Sequence, residues 1–418
     1  MINIVKKWTE SSLILKIVIG LIIGVILGIA FPKVTTIGLP GEFFVTALKS
    51  VAPLLVFLLV SSALSKANEG VGSRFRKIIL LYFLDTFIAA VTAVVVSFIF
   101  PISITLTNAS SVSAPGGLNQ ILSNLLLNIF LNPLYSLSEG NYLGILFWAF
   151  VFGICLKEVG SDNTKTVISD FADVLTMVVK IFIQFAPIGI MSLVFTALSQ
   201  NGLSIFVQYG ELILLLVGSM LIVEFVVYPI IVGSMLKRNP FPLIFICLKE
   251  SGITAFFTRS SAANIPINMM LCEKLGLDED LYSISIPLGA TINTGGAAIT
   301  ITVMTLAVCH TLGIPVDVPS TIVLSIISSF AAFGASGVVG GSLLLIPMAC
   351  SLFGIPSDIS MQAISIGFII GVIQDSFETA LNSSGDPLFA ATVEYSDRAK
   401  KGKPVNYLGE FAKEKDDQ

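Results

Sequence analysis

Charge is what this sequence has least of. Only 12% of its 418 residues are Asp, Glu, Lys or Arg, about half the share usual in a soluble domain. Histidine is nearly absent: the single His310 cannot build a metal site or a His-based relay alone, and it reads as a polar helix end. The five cysteines, Cys155, Cys247, Cys272, Cys309 and Cys350, are widely spaced in or beside apolar runs. They have no metal-ligand spacing and suggest no disulfide framework. What fills the chain instead is apolar, with 55% hydrophobic residues and a mean hydropathy of +0.93. Side chains of this kind suit the inside of a bilayer. The net charge of -4 says little, because the distribution of charge matters more than its sum.

Runs of about 20 apolar residues suffice to cross the hydrocarbon as helices. The candidates are Leu13–Phe31, Phe43–Leu64, Ile78–Ile104, Leu143–Leu156, Val174–Leu198 and Leu212–Leu236. The first follows Lys6 and Lys7 but lacks a small-residue cleavage site before the next span, so it reads as a retained helix rather than a secretory signal. Lys and Arg gather at Lys6–Lys7, at Lys66 with Arg74, Arg76 and Lys77, at Lys157 with Lys165, at Lys237–Arg238 and at Arg398–Lys403. The opposite connections are nearly free of them, and Thr107 to Gly140 has none. The positive-inside rule therefore places both termini in the cytoplasm. It also puts Lys237–Arg238 and the Glu273–Asp280 segment on one side, so Phe241–Cys272 must enter and return as a re-entrant hairpin. Val318–Phe353, bounded by Asp317 and Asp358, reads as a second hairpin from the opposite side. Interrupted hydrophobic segments in corresponding positions of two halves point to a midplane binding site.

Four elements of the second half hold polar groups where apolar ones would be cheaper. Thr258-Arg259-Ser260-Ser261-Ala262-Ala263-Asn264-Ile265-Pro266 suits two half-helices meeting, the second offering free N–H groups to a carboxylate; an ordinary polar loop is the plain alternative. Pro287-Leu288-Gly289-Ala290-Thr291-Ile292-Asn293-Thr294-Gly295-Gly296 favours local unwinding, which would expose carbonyl oxygens suited to Na⁺. It could also be a glycine packing face. Gly334 to Ser342 is glycine-rich and reads as an outward gate, or as a plain flexible loop. Asp375, Glu378, Asn382 and Asp386, separated by three, four and four residues, share one helix face. Carboxylates in a membrane helix are functional by default; a solvated tail is disfavoured by the basic cluster that begins only at Arg398.

These four motifs, in this order, closely resemble the dicarboxylate/amino acid:cation symporter family, the sodium-coupled glutamate and aspartate transporters. The resemblance covers essentially the whole chain, and within the family it is greatest to the bacterial sodium-coupled serine/threonine carriers. It implies an all-α polytopic membrane protein of eight transmembrane helices and two re-entrant hairpins with inverted repeats. It further implies a homotrimer in the bacterial inner membrane, working as an elevator. Residues 1–70 and 108–200 would form the scaffold, 71–107 and 201–397 the transport domain, and 398–418 a cytoplasmic tail. By position, Asp375 matches the aspartate that receives the substrate ammonium, and Asn382 and Ser261 match the groups that hold its carboxylate. Arg259, Ser260, Val338, Gly341, Ser342, Glu378 and Thr379 would complete the substrate site. Gly289, Asn293, Asn382 and Asp386 match one sodium site; Thr291 with backbone from Ala332, Phe333 and Ala335 matches another.

Two departures from the family pattern bear on substrate and coupling. Carriers of glutamate and aspartate place an arginine in the last helix, where this chain has Glu378. An acidic side chain facing Glu378 would be repelled, so serine or threonine is the expected substrate and a dicarboxylic amino acid the runner-up. Arg259 is expected to cross from the first hairpin and pair with Glu378. The family's Asn-Met-Asp-Gly-Thr reads Asn293-Thr294-Gly295-Gly296-Ala297 here, so an aspartate of a further sodium site is missing. Asp85, beside Thr86 and near Tyr82, could supply the displaced carboxylate or carry a proton; it could equally face a water-filled crevice or pair with a basic residue. No nucleophile–base pair or HExxH-like spacing supports an enzyme. Two opposed hairpins with unlike tips do not suit the repeated rings of a channel.

Overall fold

The computed structural model describes residues 13–65, 73–106, 130–139, 141–335 and 340–415. Val338 with its neighbours 336–339, and residues 107–129 and 140 of the outer segment 107–140, lie outside the described residues. Among those described, the elements are helices. The first half contains α1 (Leu13–Ala30), α2 (Leu39–Ser65), α3 (Ser73–Ile99), α4 (Pro133–Glu139), α5 (Tyr142–Val159), α6 (Asp162–Ile183) and α7 (Ala186–Asn201). The second contains α8 (Ile205–Leu236), α9 (Phe241–Thr258), α10 (Ser261–Lys274), α11 (Glu279–Ile292), α12 (Gly295–Thr311), α13 (Val318–Ala332), α14 (Ile346–Ser351) and α15 (Ser357–Lys400).

Six helical runs among the described residues are long and apolar enough to cross a membrane, and α6 with α7 would make a seventh. The sequence reading took Val174–Leu198 as one span, whereas the chain bends there by 56° between α6 and α7. Pro187 in the first turn of α7 explains the break: it has no N–H to continue the preceding helix. The outer surface is apolar, as with Phe43 (72% exposed) and Leu214 (73% exposed), the reverse of a soluble fold. Inside, α12 is buried from Gly295 to Cys309 without interruption, as a helix apolar on every side must be.

The helices sort by contact into two groups. α1, α2, α5, α6 and α7 pack chiefly on one another; α3 packs with α8, α11, α12, α13 and α15, and α9 and α10 lie on α15.

The ends of the molecule can be told apart by polar contacts. At one end Arg74 and Arg398 both bind Asp278, at 2.5 and 2.9 Å, and Arg238 lies over the ring of Tyr407. At the other end the His310 Nδ1 is 3.0 Å from Ser103 Oγ, and Ile104 N donates to Thr311 Oγ1. His310 is thus a polar helix end, as read from the sequence. Three of the basic clusters share one end, the grouping that the positive-inside rule requires.

The pair α9–α10 starts and finishes at that basic end: Asn239 O accepts from Tyr407 Oη, Leu275 O accepts from Tyr395 Oη, and the two tyrosine rings lie 5.8 Å apart. Between them the chain turns at Arg259, which takes a left-handed conformation with φ 53°. Ser260 then caps α10, its Oγ accepting from Ala263 N at 3.2 Å. Phe241–Cys272 is therefore a helical hairpin with both feet at one end, as the charge pattern requires.

Candidate functional site

Two segments distant in sequence converge on one carboxylate. Arg259 Nε donates to Asp375 Oδ2 at 2.7 Å, and Gly340 N, from the segment between α13 and α14, approaches Asp375 Oδ1 at 3.4 Å. Both members of the ion pair are buried. Arg259 was expected on Glu378, and the structure corrects this. From its left-handed position at the end of α9, the guanidinium reaches the carboxylate one turn earlier on α15. Glu378 already has other donors. Thr300 Oγ1 lies at 2.8 Å, Ser342 Oγ at 2.9 Å, and Gln374 Nε2 also bonds the same oxygen, Oε2. Among the described residues no cationic side chain pairs with it.

The unwinding expected in the seventh span is present. Asn293 (φ -86°, ψ 82°) and Thr294 (φ -126°, ψ 40°) separate α11 from α12. At this break α12 presses on α15. Gly296 N donates to Asn382 Oδ1 at 2.8 Å, and a Cβ on Gly296 would meet the Glu378 backbone at 2.9 Å. Only glycine permits that approach. Asn293 Nδ2 donates to Asn382 O and to Asp386 Oδ1, each at 3.0 Å. A Cβ on Gly289 would fall 2.5 Å from Asp386 Oδ1 and 2.8 Å from Tyr82 Oη. Gly289, Asn293, Asn382 and Asp386 are thus one cluster.

Asp85 joins it from α3. Its carboxylate is fully buried, Tyr228 Oη donates to Oδ2 at 3.2 Å, and the same oxygen lies 2.9 Å from where a Cβ on Gly295 would stand. The carboxylate missing at 295 is replaced in space by one from the neighbouring helix. Three buried oxygens here lack a hydrogen-bond partner: Asp85 Oδ1, Asn293 Oδ1 and Asp386 Oδ2. Such groups are rare in folded proteins, and hard, partly anionic oxygens suit a small cation.

Other expected residues are placed as follows. Arg259, Ser260, Ser261, Asp375, Glu378, Thr379 and Asn382 line a cavity of about 30 Å³, far below the size of an amino-acid pocket. The Thr379 hydroxyl donates to Asp375 O within its own helix at 2.7 Å. Gly341 packs against Ala335, its Cβ position 2.4 Å from Ala335 O. Ala332, Phe333 and Ala335 are buried, and Phe333 stacks edge-on with Phe83 of α3 at 4.7 Å. Thr291 stands apart: it is exposed, and its hydroxyl donates to Leu288 O.

Several participants escaped the sequence reading. Thr300 and Gln374 hold Glu378, and Tyr228 holds Asp85. Ser251, Asn264 and Asn268 grip Ser383, with Asn264 Nδ2 at 2.8 Å from its Oγ and Asn268 Nδ2 at 3.0 Å from its carbonyl. Polar residues recurring within apolar runs were the available signal; which side chains they meet depends on packing. Of Asp85, Asp375, Glu378 and Asp386, only Asp375 has a basic partner, Arg259, the one buried basic side chain among the described residues.

A helical hairpin tip and the segment at Gly340 meeting on one buried carboxylate inside an apolar bundle, beside an unwound helix and an electronegative cluster, suit a membrane transporter. A model of the sodium:dicarboxylate symporter family matches residues 13–396, and the chain belongs to that family. Among its relatives is the serine/threonine transporter SstT of Bifidobacterium adolescentis, 54% identical over 399 residues that span 95% of this chain and 93% of that protein. The serine/threonine transporter SstT of Streptococcus agalactiae is 55% identical over 398 residues, 95% of this chain and 99% of the relative. That of Streptococcus thermophilus is 52% identical over 394 residues. The protein is a transporter and not an enzyme.

Proposed function

We propose that this chain is a sodium-coupled importer of serine and threonine in the bacterial plasma membrane, with both termini cytoplasmic. The observation that carries the substrate class is Glu378: a buried carboxylate held by hydroxyl and amide donors, with no cation paired to it among the described residues, at the position where acidic-substrate carriers use arginine. A substrate carboxylate there would meet unscreened repulsion. A hydroxyl would instead add one more donor to the Thr300–Ser342–Gln374 set. The names of the relatives point to the same substrates.

In this reading the substrate ammonium takes the place of the Arg259 guanidinium on Asp375. Ser261 and Asn382 hold its carboxylate, with Ser260, Thr379 and the second tip (Val338, Gly341, Ser342) closing around it. Sodium is cargo. Gly289, Asn293, Asn382 and Asp386 offer oxygens for one ion, Asp85 adds the carboxylate absent from Gly295, and Thr291 with Ala332, Phe333 and Ala335 would serve another. Eight crossings with two re-entrant hairpins, a homotrimer and an elevator movement complete the proposal. The two contact groups of helices suit the last, α1, α2 and α4 to α7 as the fixed body and α3 with α8 to α15 as the moving one.

The test is uptake of radiolabelled serine into proteoliposomes with and without an inward sodium gradient. Sodium-dependent uptake blocked by threonine and not by aspartate is the expected result. Inhibition by aspartate would move the chain to the acidic-substrate carriers.

A further inference from the structure

One buried acid takes no part in this machinery. Glu224 lies on α8, 4% exposed, within a five-residue π-helical segment, Val223–Val227. A second such segment, Leu248–Gly252, interrupts α9 on the other side of the same spot. Segments of this kind are uncommon and concentrate at functional positions. Between them is a cavity of about 270 Å³ whose lining includes Met220, Phe225, Leu248, Phe256 and Phe377, and Glu224 is its one ionisable residue. The ionisable groups that interact with Glu224 through charge are Asp85 from α3, Cys247 from α9 and Tyr228 one turn along α8; none is a cation. Asp386, two residues beyond Ser384 on α15, acts like Glu224 on the Tyr228 hydroxyl.

The hydrogen bonding agrees with a neutral acid. Ser384, on α15 between Asn382 and Asp386, is the side chain that touches Glu224, its Oγ 3.4 Å from Oε2. The same Oγ lies closer, at 3.2 Å, to the Leu381 carbonyl. A hydroxyl has one proton to give, and a carbonyl can only accept. With the Ser384 proton on Leu381, the contact with Glu224 needs a proton from the acid. Glu224 Oε1 is buried without any partner, which an ionised carboxylate in an apolar cavity could not sustain without great cost.

We propose that Glu224 is a proton-binding site, occupied at neutral pH, whose proton bridges α8 to the substrate helix through Ser384. Its loss would place an uncompensated charge against the helix that carries Asn382 and Asp386, and so weaken the packing of α8 on that helix.

The assignment is tested first without reference to transport. Infrared difference spectra of the purified full-length protein in lipid, wild type against Glu224→Gln, should show at neutral pH the carbonyl stretch of a protonated, weakly bonded carboxylic acid. Glu224→Gln should lack it, and in wild type it should fade on the alkaline side. Carboxylate bands alone at neutral pH would overturn the proposal. The second arm rests on the transport reading above: sodium-driven serine uptake across the same pH range. Wild-type uptake should fall severalfold as pH rises while Glu224→Gln holds a level profile, and parallel profiles would refute the coupling of this proton to transport. If wild type takes up no serine at any pH, the substrate reading fails, and the infrared result still decides the proton site.

Discussion

At the scale of single residues, the proposed function divides recognition between the Arg259–Asp375 pair and Glu378. Replacing Asp375 by Asn leaves Arg259 buried without its charge partner, a loss on the order of 3–5 kcal/mol for a buried pair. Thermal unfolding in detergent should register it as a lowered midpoint, with serine uptake abolished; an unchanged midpoint would mean that water reaches the pair. Glu378→Gln removes the repulsive charge while keeping a group that Thr300 and Ser342 can bond. Aspartate should then begin to compete with serine in an uptake assay, and continued indifference to aspartate would place the selectivity elsewhere. The sequence made the acidic face of α15 legible, because the spacing of Asp375, Glu378, Asn382 and Asp386 is helical. It did not reveal which carboxylate Arg259 meets. That choice is made by one backbone conformation, the left-handed turn at Arg259, and by two hydroxyl donors from other elements, Thr300 and Ser342, beside Gln374 one turn back on α15.

At the scale of elements, the breaks were the more readable part. Paired glycines after Asn293 announced the gap between α11 and α12, and the serine-rich stretch before Pro266 announced the α9–α10 turn. The bend between α6 and α7 is not marked in the sequence, since a lone proline, Pro187, in an apolar run is compatible with a kinked single span. The π segments of α8 and α9 have no sequence signature at all. Glycines supply a test of the close packing. Gly296→Ala would push α12 off the Glu378 backbone at a cost of about 1–3 kcal/mol, and transport should fall with it. Gly218→Ala on α8, where a Cβ meets nothing within 4 Å, should be silent in uptake and gain up to about 1 kcal/mol in stability. Equal melting temperatures for the two variants would argue against the tight α12–α15 contact.

At the scale of the whole molecule, α3, α11 and α15 are tied together outside the apolar zone by Arg74, Arg398 and Asp278. The Arg74 hydrogen bond, assisted by Arg398, holds the Asp278 carboxyl down at about 2, from an ordinary value of 3.8. A carboxyl depressed in the folded state stabilises above its unfolded pKa and loses that contribution as pH falls through its folded one. The clasp should therefore be intact at neutral pH and weaken between about pH 4 and pH 2. Melting temperature followed through that window should drop more steeply for wild type than for Asp278→Asn, and identical slopes would exclude the clasp as a stabilising tie. The sequence foretold that these basic clusters share an end, because membrane topology constrains the sign of loops; the acid they close upon depends on the three-dimensional fold.

The salt bridge at the meeting of the two tips has an electrical meaning. Moving one elementary charge through the membrane field is worth about 2.3 kcal/mol per 100 mV. With its own guanidinium on Asp375, this pair is neutral and contributes nothing to that work. In the proposed reading a zwitterionic amino acid that displaces Arg259 would bring no net charge either, so the voltage would act on the sodium ions taken up beside it. The inside-negative potential of a bacterium would then pull the loaded carrier inward and leave this part of the returning one untouched, which gives import its direction.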